Sequence, residues 1–472
     1  MKKNSKKNET IGLPAATTLV MGSIIGSGIF SLPSAMAAFG PLSLVAFAVV
    51  TVGAFCLAWT FSLLSKKNKR SGGEYVFAQE AFGDFAGFLV AWCVWIASWV
   101  ATAAVTTAMI GYIEVFINKN HNPIGSIIIG IFGVWIPAII TLTGIKNMAK
   151  IQFVFTILKY IPILLVGFLG LFHMKAANFG DFNPSGESIP KALVAAAAVC
   201  IYSYLGIESI SAITARVKNP EKNVPKATMI GIGLTAALYL VALIGIMGTV
   251  PHDKLVNSTA PFVDSTNSMF GGTWSGNAIA VIAIFSCFGL LVGWILVTAE
   301  IPAEAANDGL FPKFFANLNT KNIPVTGIII CSIFPSLLII FSYTEFDQVF
   351  QSMVVLSVTA SVIPFVFTSS AQLYWLFIEA RDGKKHPGLV KNMVIVIGAL
   401  VFTFSGLLGS GQQAVYLGAI MAFLGVPMYA YMHRKADIKP INHEDTLFMP
   451  IDEAKNKEKI DEAKGKEKEL VH

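Results

Sequence analysis

Long apolar runs, separated by short polar segments, set the pattern of the whole chain. Residues 42–64 and 124–145 are two runs that contain no charged side chain. About 20 apolar residues in a helix are enough to cross the hydrocarbon core of a bilayer. We therefore predict an all-α integral membrane protein with twelve transmembrane helices. The predicted spans are residues 12–35, 41–64, 84–117, 124–145, 151–173, 191–213, 227–250, 276–305, 323–342, 349–378, 392–409 and 413–432.

Two of the predicted spans contain stretches that are poor helix formers. The sequence GSIIGSGIF, residues 22–30, places three glycines and two serines inside the first span, and each Gly costs about 1 kcal/mol relative to Ala. Span six has a similar stretch, YSYLGIES at residues 202–209, which includes a carboxylate. Non-helical backbone at membrane depth survives where it is buried in protein or lines a cavity. The breaks fall five spans apart, which predicts two inverted five-helix halves, residues 12–173 and 191–378, with a binding site between them.

Close packing of glycines between helices, with no ligand, is the alternative interpretation of both stretches.

Basic residues give the orientation of these spans. With the N-terminus in the cytoplasm, 29 of the 34 Lys and Arg residues fall in cytoplasmic segments and four in outside loops. Because cytoplasmic loops carry an excess of basic residues, we expect a multi-pass protein of the cell (inner) membrane with both termini in the cytoplasm. We divide it into a cytoplasmic N-terminus (1–11), a transporter domain (12–434) and a charged cytoplasmic tail (435–472).

Composition narrows the function classes. The chain of 472 residues is 54% hydrophobic and 13% charged, whereas soluble domains carry about 25% charged residues. The net charge of +6 reflects the predicted cytoplasmic loops, so we expect no nucleic-acid partner. The five cysteines lie inside predicted spans without CxxC spacing, and the seven histidines show no metal-ligand spacing. We therefore expect no metal, no cofactor, no catalytic residue and no enzymatic activity.

The two breaks together suit a zwitterion. Around Gly26, Ser27 and Gly28, freed N–H groups at the positive end of a half-helix favour a carboxylate. Carbonyl groups freed near Tyr202 and Leu205 favour an ammonium group. An α-amino acid carries both groups, and it is the ligand that we expect in a site between the breaks.

At these residues the sequence resembles the APC (amino acid–polyamine–organocation) superfamily, and most closely its basic amino acid/polyamine antiporter branch. The resemblance covers about residues 8–434. It implies the five-plus-five inverted-repeat, LeuT-like fold with helices 1 and 6 broken. The motifs that carry it are GSIIGSGIF (22–30), SGGEYVFAQEAFG (71–83), GIESISAITARVKNPEKNVPKAT (206–228), NSTAPF (257–262), GWILVTAEIPAEAANDGLFPKFF (293–315) and SVIPF (361–365).

The resemblance also implies which residues bind the substrate. In such transporters an aromatic gate occupies the position of Tyr202, and Trp294 matches a Trp that stacks on the bound cation. Ser357 matches a pocket hydroxyl, and Phe365 stands where a gating Tyr is found, so the hydroxyl is lost. The full implied set is Ile24, Gly26, Ser27, Gly28, Ala97, Ser98, Thr102, Tyr202, Leu205, Trp294 and Ser357, with Glu208, Lys159 and Phe365 in gating or proton coupling.

Two departures affect the choice of substrate. Thr102 replaces the Asn that contacts the guanidinium in arginine–agmatine exchangers, and Gln79 stands where putrescine exchangers carry an acid, next to Glu80. Both departures weaken a specific assignment to arginine–agmatine or putrescine exchange.

Lys159 is a charged residue inside predicted span five. A charge at membrane depth is costly and marks a functional candidate. By resemblance it senses or carries a proton, or takes the place of a sodium ion in related transporters. The alternative is a lysine that snorkels to the interface from about two turns inside the span.

Glu208 and Trp294 also have two interpretations each. Glu208 either acts as a proton-linked latch or hydrogen-bonds local N–H groups and fixes the break. Trp294 either stacks on the substrate cation or belongs to an interfacial aromatic belt.

These observations predict a secondary amino acid transporter, an antiporter that exchanges a cationic amino acid (arginine, lysine or ornithine type) for a related amine or amino acid. The alternative is a proton-coupled symporter of neutral or broad specificity, and a more remote one is a non-transporting amino acid sensor. The expected partners are amino acid or amine substrates and the lipid bilayer, with protons and a second copy of the chain (a homodimer) as further candidates.

Overall fold

The computed structural model describes residues 12–26, 28–67, 73–208, 217–321, 323–345, 349–381 and 388–433. Within these ranges the regular elements are helices, together with two short 3-10 turns at Ala176–Phe179 and Lys313–Ala316. The α-helices are α1 (Leu13–Ile24), α2 (Gly28–Ala37), α3 (Leu42–Lys67), α4 (Glu74–Phe82), α5 (Asp84–Ile113), α6 (Pro123–Leu142), α7 (Ile145–His173), α8 (Ile189–Tyr202), α9 (Pro220–Thr249), α10 (His252–Val256), α11 (Pro261–Phe270), α12 (Trp274–Asn307), α13 (Val325–Glu345), α14 (Val349–Arg381), α15 (Leu389–Gly409), α16 (Gly411–Phe423) and α17 (Gly425–His433).

Nine helices in the described part of the chain are long and apolar enough to cross a membrane. They coincide with nine of the twelve predicted spans. The pair α1 and α2, bent by 48°, is a tenth candidate if it counts as one span. Predicted spans five and six correspond to the shorter apolar helices Ile157–His173 and Ile189–Tyr202. The protein is therefore an all-helical, multi-pass membrane protein, while the count of twelve and the inverted repeat stay predictions.

Two predicted spans differ in extent from the helices that correspond to them. Predicted span six covers residues 191–213, and its first helix ends at Tyr202, at the predicted break; hydrogen-bonded turns follow up to residue 208, and residues 209–213 lie outside the described residues. Predicted span five begins at residue 151, but α7 begins at Ile145. Lys159 therefore lies near the middle of a 29-residue helix rather than about two turns from its end.

Helix α5 lies at the centre of the helix packing. It contacts α12 and α14, and α12 also packs against α7. In α5, 72% of the most apolar stretch is buried, compared with 33% in α15. Because the most buried helix carries small residues such as Ala97, Ser98 and Ala101, neighbouring backbones approach it closely. The broken segments pack near this centre.

Contacts divide the chain into a large unit, residues 1–429, and a small one, residues 430–472, of which residues 430–433 are described. The predicted charged tail, residues 435–472, and the predicted N-terminal segment, residues 1–11, lie outside the described residues.

Candidate functional site

The first break separates α1 from α2 at the glycine-rich stretch. The N–H of Ile25 donates to the carbonyl of Met21 at 2.8 Å, which closes the last turn of α1. The N–H of Gly26 then donates back to the carbonyl of Ile24, also at 2.8 Å. This N–H group is therefore already bonded, although the sequence suggested that it is free for a carboxylate. The remaining N–H donors at this break belong to the start of α2 at Gly28, since the first N–H groups of any helix lack partners within the helix.

Lys159 and Tyr239 satisfy the carbonyl groups at the end of α1. The Nζ of Lys159 donates to the carbonyl oxygens of Gly22 and Ile25, each at 2.6 Å. The Oη of Tyr239 donates to the carbonyl of Ile24 at 3.1 Å. Only 4% of Lys159 is exposed, so its ammonium group does not extend to an interface. A cation at the negative end of a helix dipole is a favourable arrangement, and it holds α7 against the break.

The second break follows α8 and packs directly on the first. After Tyr202, the N–H groups of Ser203, Tyr204, Leu205 and Ile207 each donate to the carbonyl three residues earlier, for example Leu205 to Tyr202 at 3.2 Å. Gly206 has φ +110°, and a Cβ there would clash with the carbonyl oxygen of Ser23. A Cβ at Gly28 would lie 3.1 Å from the Tyr202 ring. The two breaks are thus in contact; Gly206 is required by this close approach, and a Cβ at Gly28 would need the Tyr202 ring to shift.

A small cavity, here called the break cavity, lies between the two breaks. Its volume is about 40 Å³, roughly the space that one or two water molecules take in liquid water. Six of the residues named from the sequence line it: Ile24, Gly26, Gly28, Tyr202, Leu205 and Trp294. Ser23, Ala101, Val105, Ser203 and Leu290 complete the wall. The structure therefore brings both glycine-rich motifs to one site.

A second small cavity, here called the acid cavity, shares part of its wall with the break cavity. Its volume is about 30 Å³. Ala101, Leu205 and Trp294 line both cavities. The wall of the acid cavity consists of Glu74, Val94, Ala97, Ser98, Ala101, Leu205, Glu208, Trp294, Ser357, Ser361, Pro364 and Phe365.

Trp294, which lines both cavities, is held in place by a hydrogen bond. Its Nε1–H donates to the carbonyl of Ser98 at 3.1 Å. The hydroxyl of Ser357 donates to the carbonyl of Ala97 at a longer 3.5 Å. The indole N–H is thus bonded to α5, and the residue lines both small cavities.

Two carboxylates face the acid cavity. Both oxygens of Glu208 accept the N–H of Gly206 at 3.0 Å, as the second interpretation of this residue predicts. Glu74, at the start of α4, is 5% exposed, and its Oε1 has no hydrogen-bond partner among the described residues. Burial, together with the nearby carboxylate of Glu208, raises the pKa of Glu74 well above its usual range.

A much larger cavity, about 530 Å³, lies beyond Tyr202. Its wall includes Phe350 and the carboxylate of Glu114, which accepts hydrogen bonds from Asn118 at 2.8 Å and also from Ser126. The Tyr202 and Phe350 rings meet edge to face, with centroids 6.1 Å apart. Tyr202 lines the break cavity and Phe350 lines the large one, so this aromatic contact links the walls of the two cavities.

Three residues named from the sequence, Thr102, Lys159 and Gln79, line neither small cavity. Thr102 is fully buried, and its hydroxyl donates to the carbonyl of Ser98 at 3.0 Å. It lines neither small cavity, and Lys159 acts behind the break rather than in its wall. Ser27 lies outside the described residues. Gln79 also lies away from both cavities and donates to Asp84 at 3.0 Å.

Glu74 is the main site residue that the sequence did not single out. It belongs to the motif SGGEYVFAQEAFG, in which the positions of Gln79 and Glu80 drew attention instead. The available signal was weak, because a Glu at the start of a short helix is ordinarily a solvated residue that favours the helix dipole. Its burial depends on how α4 packs against α5 and α14.

Comparisons with known proteins were made for the whole chain. A family model described as Amino acid permease matches residues 11–429. The putrescine transporter PotE of Haemophilus influenzae is 30% identical over 438 residues, which cover 92% of this chain and 100% of that protein. PotE of Escherichia coli is 29% identical over 439 residues, covering 92% and 98%. The cadaverine/lysine antiporter of Escherichia coli is 25% identical over 441 residues, covering 92% and 97%.

Proposed function

Because the chain belongs to the amino acid permease family of the APC superfamily, we propose that it exchanges a cationic amino acid for a related amine or amino acid. It works by alternating access around the two helix breaks. The relatives named above are a putrescine transporter and a cadaverine/lysine antiporter, which supports an amine or amino acid substrate and favours exchange.

The observation that carries this proposal is the contact between the two breaks. The N-terminus of α2 at Gly28 and the turns after Tyr202 line one cavity. The α2 N-terminus suits the substrate carboxylate, since N–H donors and the helix dipole both favour an anion. The polar backbone around Leu205 offers acceptors for the α-amino group. We assign substrate binding to Ile24, Gly26, Ser27, Gly28, Ala97, Ser98, Tyr202, Leu205, Trp294 and Ser357.

The cationic part of the proposal depends on the acid cavity. A desolvated cation over an indole gains about 2 kcal/mol, and two carboxylates face the acid cavity next to the ring. A side chain that leaves the break cavity past Trp294 enters this acidic space. A neutral apolar side chain has no charge to pair with these carboxylates or to place over the indole ring, and this favours a cationic substrate. Thr102 does not contact the substrate in this proposal, since its hydroxyl is bonded to Ser98.

Lys159 and Glu208 are the proposed sites of proton coupling. Each bonds to backbone of a break, Lys159 at α1 and Glu208 at Gly206. A change in the protonation of either group changes the hydrogen bonds that hold its break. Phe365, which packs edge-on against Phe61 at 6.1 Å, closes the far wall of the acid cavity and is the proposed gate there.

The membrane arrangement is part of the same proposal. It has twelve spans in two inverted halves, residues 12–173 and 191–378, in the cell membrane with both termini in the cytoplasm. The positive-inside distribution of Lys and Arg supports this orientation.

A proton-coupled symporter of neutral or broad specificity is the second candidate, and buried Lys159 favours it specifically. Counterflow in proteoliposomes separates the two. An antiporter takes up labelled lysine only when lysine, ornithine or cadaverine is inside, whereas a symporter also fills empty liposomes when a proton gradient is imposed. A screen of amino acids and polyamines against labelled lysine, arginine and ornithine uptake tests the substrate class, and inhibition by neutral amino acids alone would remove the cationic assignment.

A further inference from the structure

The acid cavity contains a buried carboxylate with an unused hydrogen-bond acceptor. Glu74 is 95% buried, since 5% of it is exposed, and its Oε1 has no hydrogen-bond partner among the described residues. A buried polar atom without a partner is costly, and a buried charge without a partner more so. A buried carboxylate of this kind is expected where a ligand supplies the missing hydrogen bond or the opposite charge.

The surroundings of Glu74 define what that ligand is. Glu208 lines the same cavity, and these two are the ionisable groups among its described wall residues. The charged residues on the surrounding helices α4, α5, α12 and α14 do not line it; they are Glu80, Asp84, Glu300, Glu304, Glu379 and Arg381. No cationic side chain of the described residues therefore lies beside Glu74 in the cavity wall, and a buried carboxylate requires a proton or another cation near it.

The size and position of the cavity favour an ammonium group. A volume of about 30 Å³ is close to the share of one water molecule in the liquid, and an ammonium group is of similar size. The cavity adjoins the break cavity through the shared wall residues Ala101, Leu205 and Trp294. A ligand whose amino acid head lies between the breaks can therefore place the end of its side chain here.

We propose that Glu74, together with Glu208, forms the binding subsite for the distal ammonium group of a diamino acid or diamine substrate. Glu74 thereby supplies the acid that Gln79, bonded to Asp84, does not present to the cavity. The inference rests on the proposed function and names the residue that selects a cation over a neutral analogue at that site.

The test compares lysine with norleucine, which has the same chain length but lacks the distal ammonium group. Binding of both is measured with the purified full-length protein, for wild type, Glu74→Gln and Glu80→Gln. Glu80 lies on the same helix and is exposed, so Glu80→Gln is a matched control with the same chemical change. Loss of a charge-assisted contact lowers the preference for lysine over norleucine by roughly tenfold to a hundredfold in Glu74→Gln. The control keeps the wild-type preference.

The outcomes separate the inference from the proposed function. If wild type prefers lysine and Glu74→Gln retains that preference in full, the subsite assignment is wrong while the cationic transporter stands. If wild type binds neither lysine nor any other cationic amino acid, the proposed function fails and takes the inference with it.

A measurement on wild type alone covers the case in which Glu74→Gln does not fold. Protons and the distal ammonium group compete for the same carboxylates, so the affinity for lysine weakens as the pH falls. Norleucine has no distal ammonium group to compete with protons for these carboxylates. The pH dependence of its affinity therefore reflects only the other titrating groups of the site. Parallel pH dependences for lysine and norleucine would overturn the assignment.

Discussion

Gly206 offers a direct test of the contact between the two helix breaks. Its φ of +110° lies in a region that residues with a Cβ rarely adopt, and a Cβ would clash with the carbonyl oxygen of Ser23. Holding a non-glycine residue in such a conformation costs about 1–3 kcal/mol, and relief of the clash requires the second break to move away from α1. We therefore expect Gly206→Ala to lower the thermal stability and to weaken substrate binding by roughly tenfold or more.

The assay is substrate binding and thermal unfolding of the purified protein, with Gly233→Ala as control. Gly233 lies within helix α9, and a Cβ there would meet Phe55 at an ordinary 3.6 Å. Ala in a helix interior is favoured over Gly by about 0.5–1 kcal/mol, so the control is neutral or slightly stabilised and binds normally. Wild-type affinity and stability in Gly206→Ala would refute the idea that this close approach builds the site.

Four further results are expected. Lys159→Met removes the buried donor to the carbonyls of Gly22 and Ile25, and each unsatisfied carbonyl costs about 1–3 kcal/mol of stability. We expect exchange in proteoliposomes to slow and its pH profile to change. An unchanged rate and pH profile would exclude a role for the ammonium group. Glu208→Gln flattens the pH dependence of transport without abolishing substrate binding, and a wild-type profile in flux measurements would rule out the latch. Trp294→Leu removes a cation–π contact of about 2 kcal/mol, so the preference for lysine over norleucine falls roughly 30-fold in competition binding, whereas an equal loss for both ligands would indicate a packing role. Because the pKa of Glu74 is raised in the folded protein, its ionisation destabilises the fold as the pH rises above the usual carboxyl range. Without substrate, Glu74→Gln therefore gains thermal stability relative to wild type as the pH rises through and above that range, and a difference that stays constant with pH would contradict the shift.

The two breaks could be predicted from the sequence because glycine weakens a helix through its own backbone, without the help of distant residues. A cluster of Gly and Ser inside an apolar run weakens a helix wherever it occurs, so GSIIGSGIF and YSYLGIES marked the two positions at which α1 and α8 end. The charge of Lys159 was equally visible, but its partners were not. The carbonyls of Gly22 and Ile25 are separated from it by more than 130 residues along the chain, and only tertiary packing brings them together.

Thr102 and Glu74 show where sequence reasoning stops. Resemblance placed Thr102 in the substrate site, but its hydroxyl donates to the Ser98 carbonyl, which also accepts the indole N–H of Trp294. Thr102 therefore shares the carbonyl that orients Trp294, and it lines neither small cavity. Glu74 looked like a solvated residue at a helix start, and its burial follows from the packing of α4 between its neighbours. Neither outcome depends on the residues adjacent in the sequence.

The two ends of the proposed site use different chemistry, and this difference has a consequence for selectivity. At the breaks, the carbonyls at the end of α1 already accept hydrogen bonds from Lys159 and Tyr239. The groups proposed to bind the substrate carboxylate are the backbone N–H donors at the start of α2. Any α-amino acid can use these donors. In the acid cavity the groups are the side chains of Glu74 and Glu208. A change that moves the backbone, such as Gly206→Ala, should therefore weaken lysine and norleucine by similar factors, because both carry the same carboxylate and α-amino group. A change in Glu74 should weaken lysine alone. If Gly206→Ala instead altered the ratio between the two ligands, the breaks would also determine side-chain selectivity, and the division between a backbone site for the head group and a carboxylate site for the side chain would be wrong.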